Sequence, residues 1–248
     1  MAFADWHWFA GGFVGGIGDP NYTARIHTLS PIVGEGSLEF HAYSINAAAP
    51  VKPNFFAYHQ ASILPTYKPR GVFRTLTRCL SASGGSAGDR LSVGLFGLSG
   101  ARLQQNSGLA GSYALVLDTA MGSTTWERIM LAIFAGQWNP ARLPEVILWQ
   151  MPLSTIAITD VVALELAFWH WLLDDWGGVR LIGKMGAATD YSDLVQLFEY
   201  MNTDYPTLAQ TTGFGLYPGI GCQFMGSVDV LFDETELEFI LTDPFRSR

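Results

Sequence analysis

Charge is what this chain has least of. Asp, Glu, Lys and Arg make up 15% of its 248 residues, against about 25% in ordinary soluble domains. The 14 Lys and Arg residues form no basic block and the net charge is −8. Phosphate backbones are gripped by clustered cations, so nucleic acid is excluded as a partner. Cysteine is nearly absent. Cys79 and Cys222 are far apart in sequence, outside any metal-ligand spacing, and read as buried, reduced residues behaving as small apolar groups. No run approaches the roughly 20 apolar residues that span a bilayer. The opening MAFADWHWFAGGFVGG lacks the basic start and unbroken apolar core of a secretory signal, so synthesis in a cytoplasm is the expectation.

Catalytic patterns are missing as well. His7, His27, His41, His59 and His170 show no HExxH spacing, and neither Ser99-Gly100 nor Ser107-Gly108 belongs to a GxSxG elbow. The SASGGSAGD stretch has no lysine and does not fit a phosphate loop. An enzymatic role and a cofactor are therefore not expected.

Hydrophobic residues, at 49%, are abundant. With so little charge, either the core is large or neighbouring molecules cover much of the surface. The segment 161–185, VVALELAFWHWLLDDWGGVRLIGKM, has period-two alternation. Val162, Leu164, Leu166 and Phe168 fall on one face and Ala163, Glu165, Ala167 and Trp169 on the other. Asp174 to Gly178 supply a turn, and Val179-Arg180-Leu181-Ile182 starts a second strand. This predicts a long β-hairpin in an antiparallel sheet.

Other strands are expected at 38–45, 72–80 and 90–98 (read as a pair), 113–118 and 128–134 (another pair), and 146–149. The connector from Pro50 through Pro53 and Pro65 to Pro69 should be irregular or edge-lying, because proline cannot donate to a ladder. After Asp190-Tyr191-Ser192-Asp193, the residues Leu194, Leu197, Phe198 and Met201 fit an amphipathic helix. In the last section, Val228, Val230 and Phe232 share one parity and Leu237, Phe239 and Leu241 the other, which predicts a bulge or tight turn at 233–235. The sum is an all-β, two-sheet antiparallel sandwich over 37–248 with one short helix.

Residues 1–36 form a Gly/aromatic arm with Trp6, Trp8, Phe9 and Phe13 among five glycines. Such an arm either docks on a neighbour or folds back on its own domain.

Two stretches carry a family resemblance. The strands VVALELAFWHWLLDD and GGVRLIGKMG, with the terminal GFGLYPGIG…GSVDVLFDETELEF, resemble the late strands of concanavalin A-like or laminin G-like jelly rolls. A low-charge member with an aromatic arm is similar to the sandwich proteins of tailed-bacteriophage virions, in capsid decoration, tail tip, baseplate or fibre. That resemblance implies a virion location, contacts with other virion proteins, and a homo-oligomer, taken as a trimer. Glucanase-type members carry E-x-D-x-x-E, from which Asp233-Glu234-Thr235-Glu236-Leu237-Glu238 departs in spacing, so a solvated strand face is expected there. For a calcium and manganese site of the legume-lectin kind, Asp118, Asp174, Asp175 and Asp190 are candidates only in being acidic, and no metal is expected.

One constellation could contact a ligand. Trp169, Trp171 and Trp176 lie close to Asp174 and Asp175, and aromatic faces with nearby carboxylates suit a sugar on a host surface. The alternative is a hairpin tip packed against a partner subunit. His170, between two of these tryptophans, reads as a packed strand residue.

Overall fold

The structure is a computed structural model. It describes residues 6–11, 22–42, 54–59, 70–85, 87–98, 112–134, 146–173, 176–202, 219–224 and 226–239. These form fourteen strands: β1 Trp6–Gly11, β2 Tyr22–His27, β3 Ser37–Ala42, β4 Asn54–His59, β5 Arg70–Ser83, β6 Arg90–Leu98, β7 Ser112–Ala120, β8 Arg128–Phe134, β9 Val146–Pro152, β10 Val162–Leu173, β11 Trp176–Gly186, β12 Val195–Asn202, β13 Gly219–Gln223 and β14 Ser227–Phe239. One sheet runs β1-β4-β13-β6-β7-β8-β9 and the other β12-β11-β10-β5-β14-β3-β2, each antiparallel throughout. This is the all-β sandwich, and among the described residues it contains no helix.

The main core lies between the sheets. Val162, Leu164, Leu166 and Phe168 of β10 enter it, as the alternation predicts, and meet Leu91, Val93 and Leu95 of β6 with Leu115 and Leu117 of β7. Around the middle of β7 and β8 the outer side of their sheet is buried too. Phe96, Ala114, Val116, Met130 and Ala132 form a second buried cluster there. Burial on both faces accounts for the unbroken apolar runs of β7 and β8, which alternation alone would not produce.

The β10–β11 hairpin forms as expected, with Leu166 opposite Gly183 and Leu173 opposite Trp176. Its second strand begins at Trp176 rather than Val179, so Trp176, Gly177 and Gly178 belong to the ladder and not to the turn. The predicted slip in the last strand is a bulge between Asp233 and Glu236. Glu234 takes φ +42° there, and the Tyr191 hydroxyl donates to its carbonyl.

Three expectations need correction. Residues 195–202 are strand β12, not a helix. β12 zips onto the edge of β11, satisfying backbone groups that would otherwise face outward unpaired. The register slips where Gly183 faces Phe198 and Lys184 faces Gln196. Leu197 and Phe198 therefore both pack on the core, while Val195 (65% exposed) and Met201 (55%) do not. That bulge imitates a helical stripe.

The β5 and β6 segments do not pair. β5 lies between β10 and β14 in one sheet, and β6 between β13 and β7 in the other. Their glycine-rich connection, with Gly84, Gly85 and Gly88 at positive φ, crosses between sheets. The proline-spaced connector holds strand β4, paired on both sides by β1 and β13, because Pro53 and Pro65 flank the strand instead of entering it. In the N-terminal segment, β1, with Trp6, Trp8 and Phe9, pairs with β4, and β2 pairs with β3. Phe13 lies outside the described residues.

Cys79 and Cys222 are buried thiols on strands of opposite sheets. Burial pushes the Cys79 thiol up to about 12, and the thiolate is the reactive form. The folded protein should therefore leave Cys79 unmodified by an aromatic disulfide reagent from pH 7 to pH 9, and denaturation should release it to react. Fast modification of Cys79 in the native state would contradict its burial.

Candidate functional site

The predicted tryptophans all fall near the tip of the β10–β11 hairpin, Trp169 and Trp171 on β10 and Trp176 on β11. Positions two apart on a strand share a face, and directly paired residues of an antiparallel ladder share it too. Trp169 faces Arg180, Trp171 faces Gly178, and Leu173 faces Trp176. Leu166 and Phe168 are turned to the core, so Trp169 lies on the opposite, outer face of β10. Trp171 and Trp176 are placed by backbone register alone. Asp174 and Asp175 lie outside the described residues.

Around Trp169 the surroundings are charged. The Arg70 guanidinium stacks over its ring, 4.3 Å from the centroid. Arg180, directly across the ladder, donates to Glu199 at 2.7 Å. Trp169 is half-buried. The row offers an aromatic plane with flanking cationic donors and a carboxylate acceptor.

Further along the same face, a facing pair on β10 and β5, Glu165 and Arg74, adds polar groups that the sequence alone did not mark. Glu165 is buried, held by Lys184 at 2.7 Å and Arg74 at 3.6 Å. Arg74 also reaches Glu236 and Glu238, and the Tyr191 ring lies over its guanidinium. Glu236 and Glu238 are largely exposed, which fits the solvated face expected of that acidic run. At the far end, Glu39 is buried and receives Arg25 at 2.6 and 3.0 Å and His27 at 3.1 Å. Burial pushes the Glu39 carboxyl up, but hydrogen bonds from Arg25 and His27 outweigh it and hold the group below the usual carboxylate range.

The opposite sheet has its own buried acid. Asp118 accepts from Arg90 Nε at 2.8 Å, Arg128 Nε at 2.6 Å and Ser92 Oγ at 2.8 Å. Two guanidinium groups already neutralise it, so it does not fit a calcium ligand. Asp190 accepts from Ser192 and shapes a turn. Asp118 and Asp190 do not come together. The sequence signal for Glu39, Asp118 and Glu165 was a lone acid in an apolar strand, LEF, LVLD and LELA, but the partners come from other strands.

No family model matches this sequence, and no curated protein matches it. Solved structures do. The VIP36 exoplasmic/lumenal domain bound to Ca2+ and Man3GlcNAc aligns with 96% of this chain and 85% of its own, at 10% identity and TM-score 0.49. The carbohydrate recognition domain of Emp46p, potassium-bound, aligns over 95% and 89% at 11% identity and TM-score 0.49. A legume lectin-like domain from Entamoeba histolytica aligns over 90% and 91% at 12% identity and TM-score 0.46. The likeness is one of architecture.

Proposed function

We propose that this protein is a non-catalytic carbohydrate-binding sandwich that holds glycan on the tryptophan face of the β10–β11 hairpin. Carbohydrate is what two of those solved domains are described with or named for, but the reading here rests on the surroundings of Trp169. One observation supports it: Trp169 lies half-buried on the outer face with the Arg70 guanidinium over its ring and Arg180 across the ladder, and Trp171 and Trp176 belong to the same hairpin. Sugar C–H groups stack on indole faces, while hydroxyls exchange hydrogen bonds with Arg180 and Glu199. Tryptophan in this hairpin lets large contacts form at small entropic cost.

Assembly with other copies or other virion proteins is the second reading. The specific observation favouring it is apolar exposure at adjoining sheet edges. Val146 (47%) and Ile147 (38%) are exposed on β9, and Val195 and Met201 on β12, with Trp149 and Phe198 of these strands in ring contact at 4.7 Å. A location in a virion belongs to this reading.

A glycan array probed with the full chain separates the two. The carbohydrate reading expects binding to a defined glycan class, reduced about tenfold or more in Trp171→Ala, since stacking on one aromatic is worth roughly 1–2 kcal/mol. Thermal melting should be unchanged in the variant. Glycan silence, together with an oligomer that Val195→Lys and Met201→Lys dissociate, would favour assembly instead.

A further inference from the structure

We propose that Glu39, His41 and Asp229 form a binding site for a divalent first-row ion of the zinc class. Glu39 and His41 stand two apart on β3, so they share its outer face, and Asp229 of β14 lies directly opposite His41 in the ladder. One donor atom from each lies within 4.8 Å of the other two. A tetrahedral ion with bonds of about 2.0–2.1 Å spaces its ligands by roughly 3.3 Å, so modest side-chain rotations close the set. The His41 Nδ1 and an Asp229 carboxylate oxygen already touch.

The supporting contacts hold the ligands in place. Ser81 Oγ donates to Asp229 Oδ2 at 2.7 Å, and the His27 ring holds Glu39 from the other side at 3.1 Å. Such outer partners are what orient metal-binding side chains. His41 is 25% exposed and Asp229 26%, so an ion can enter and keep water in its fourth position. One imidazole nitrogen with two carboxylates suits zinc or its neighbours. Calcium, which takes six to eight oxygens, is poorly served. The site is separate from the tryptophan face: β5 has Arg70 beside Trp169 near one end and Ser81 beside Asp229 near the other.

Arg25 is the competitor. Its guanidinium occupies both oxygens of Glu39, and a carboxylate has about four acceptor positions, of which Arg25 and His27 take three. Arg25 is 56% exposed and free to swing outward. The structure thus describes an arginine-guarded site, in which the ion and the guanidinium contend for one carboxylate.

The test is calorimetric titration of the chelator-treated full chain with zinc chloride, with cobalt(II) absorption reporting the coordination. The expected result is one ion per chain, weakened about tenfold or more in both His41→Ala and Asp229→Asn, and tightened several-fold in Arg25→Ala. The last variant is decisive even if His41→Ala fails to fold. A purely structural role for this network predicts only destabilisation when Arg25 is removed, and no gain in zinc affinity. Zinc binding that survives unchanged in Asp229→Asn, absence of binding to the native chain, or weaker binding in Arg25→Ala would overturn the proposal.

Discussion

Replacing Gly94 by alanine should cost the sandwich about 3 kcal/mol, on the scale of strain and overpacking penalties. Gly94 lies in the middle of β6 at φ +153°, between Val116 of β7 and Gly221 of β13. A Cβ built there would sit 2.4 Å from the Leu115 carbonyl oxygen and 3.1 Å from Val116 Cα. Both contacts are backbone, and β7 is itself held by β8, so the obstacle cannot rotate away as a side-chain tip would. Gly88 supplies the control. It also has positive φ (+91°), but nothing lies within 4 Å of its would-be Cβ, so Gly88→Ala should cost about 1 kcal/mol, the conformational part alone. Urea midpoints of the two variants measure the difference. Equal losses would mean that strain, and not the close approach of β6 and β7, sets the need for glycine at position 94.

The contrast bears on how far the sequence could be read. Strands whose register alternates cleanly were legible: β10 announced its inward set Val162, Leu164, Leu166 and Phe168, and the parity switch around Asp233 announced a bulge. Both are local facts, carried by neighbouring residues. What the sequence hid was whatever depends on a partner far along the chain. Phe198 and Leu197 look helical because a bulge turns consecutive residues to the core. Phe198 then fills the space that Gly183 leaves, where an added Cβ would come within 2.3 Å of its ring. β5 and β6 look like a hairpin because each alternates, yet alternation does not say which sheet a strand joins.

The candidate site divides the same way. The closeness of Trp169, Trp171 and Trp176 was visible, since they lie within eight residues on the two strands of one hairpin. Arg70, which stacks on Trp169, comes from β5 and has no sequence signature. Glu39 and Asp229 stand 190 positions apart in the chain, and only the pairing of β3 with the last strand unites them. An acid alone in an apolar strand is thus a marker for a buried ion pair whose other half must be found in three dimensions.

Asp118 provides the strongest instance, and removing it should be among the most damaging single changes. Its carboxylate is 2% exposed and sits between Arg90 and Arg128, which are each 25% exposed. Deleting one partner of a buried pair costs roughly 3–5 kcal/mol, because the remaining charge is stranded. Here the two stranded groups are partly hydrated, and Arg90 keeps Glu127 at 2.7 Å while Arg128 keeps Gln150 at 2.9 Å. The expected loss for Asp118→Ala is therefore smaller, about 2–3 kcal/mol, a large share of the 5–15 kcal/mol typical of a domain. Asp118→Asn should lie between, since an amide oxygen can still accept from Ser92 or one guanidinium, while its NH2 group faces donors. Salt should change this loss little, as the pair is shielded from bulk ions. Glu199→Gln, which breaks the exposed Arg180 pair, should cost under about 1 kcal/mol and shrink further in salt. The cause can be isolated by removing both arginines as well. If Asp118→Ala is damaging because it strands cations, then adding Arg90→Met and Arg128→Met should recover part of the loss. A triple variant less stable than Asp118→Ala would instead show that the arginine stems, packed along this face, matter more than their charge.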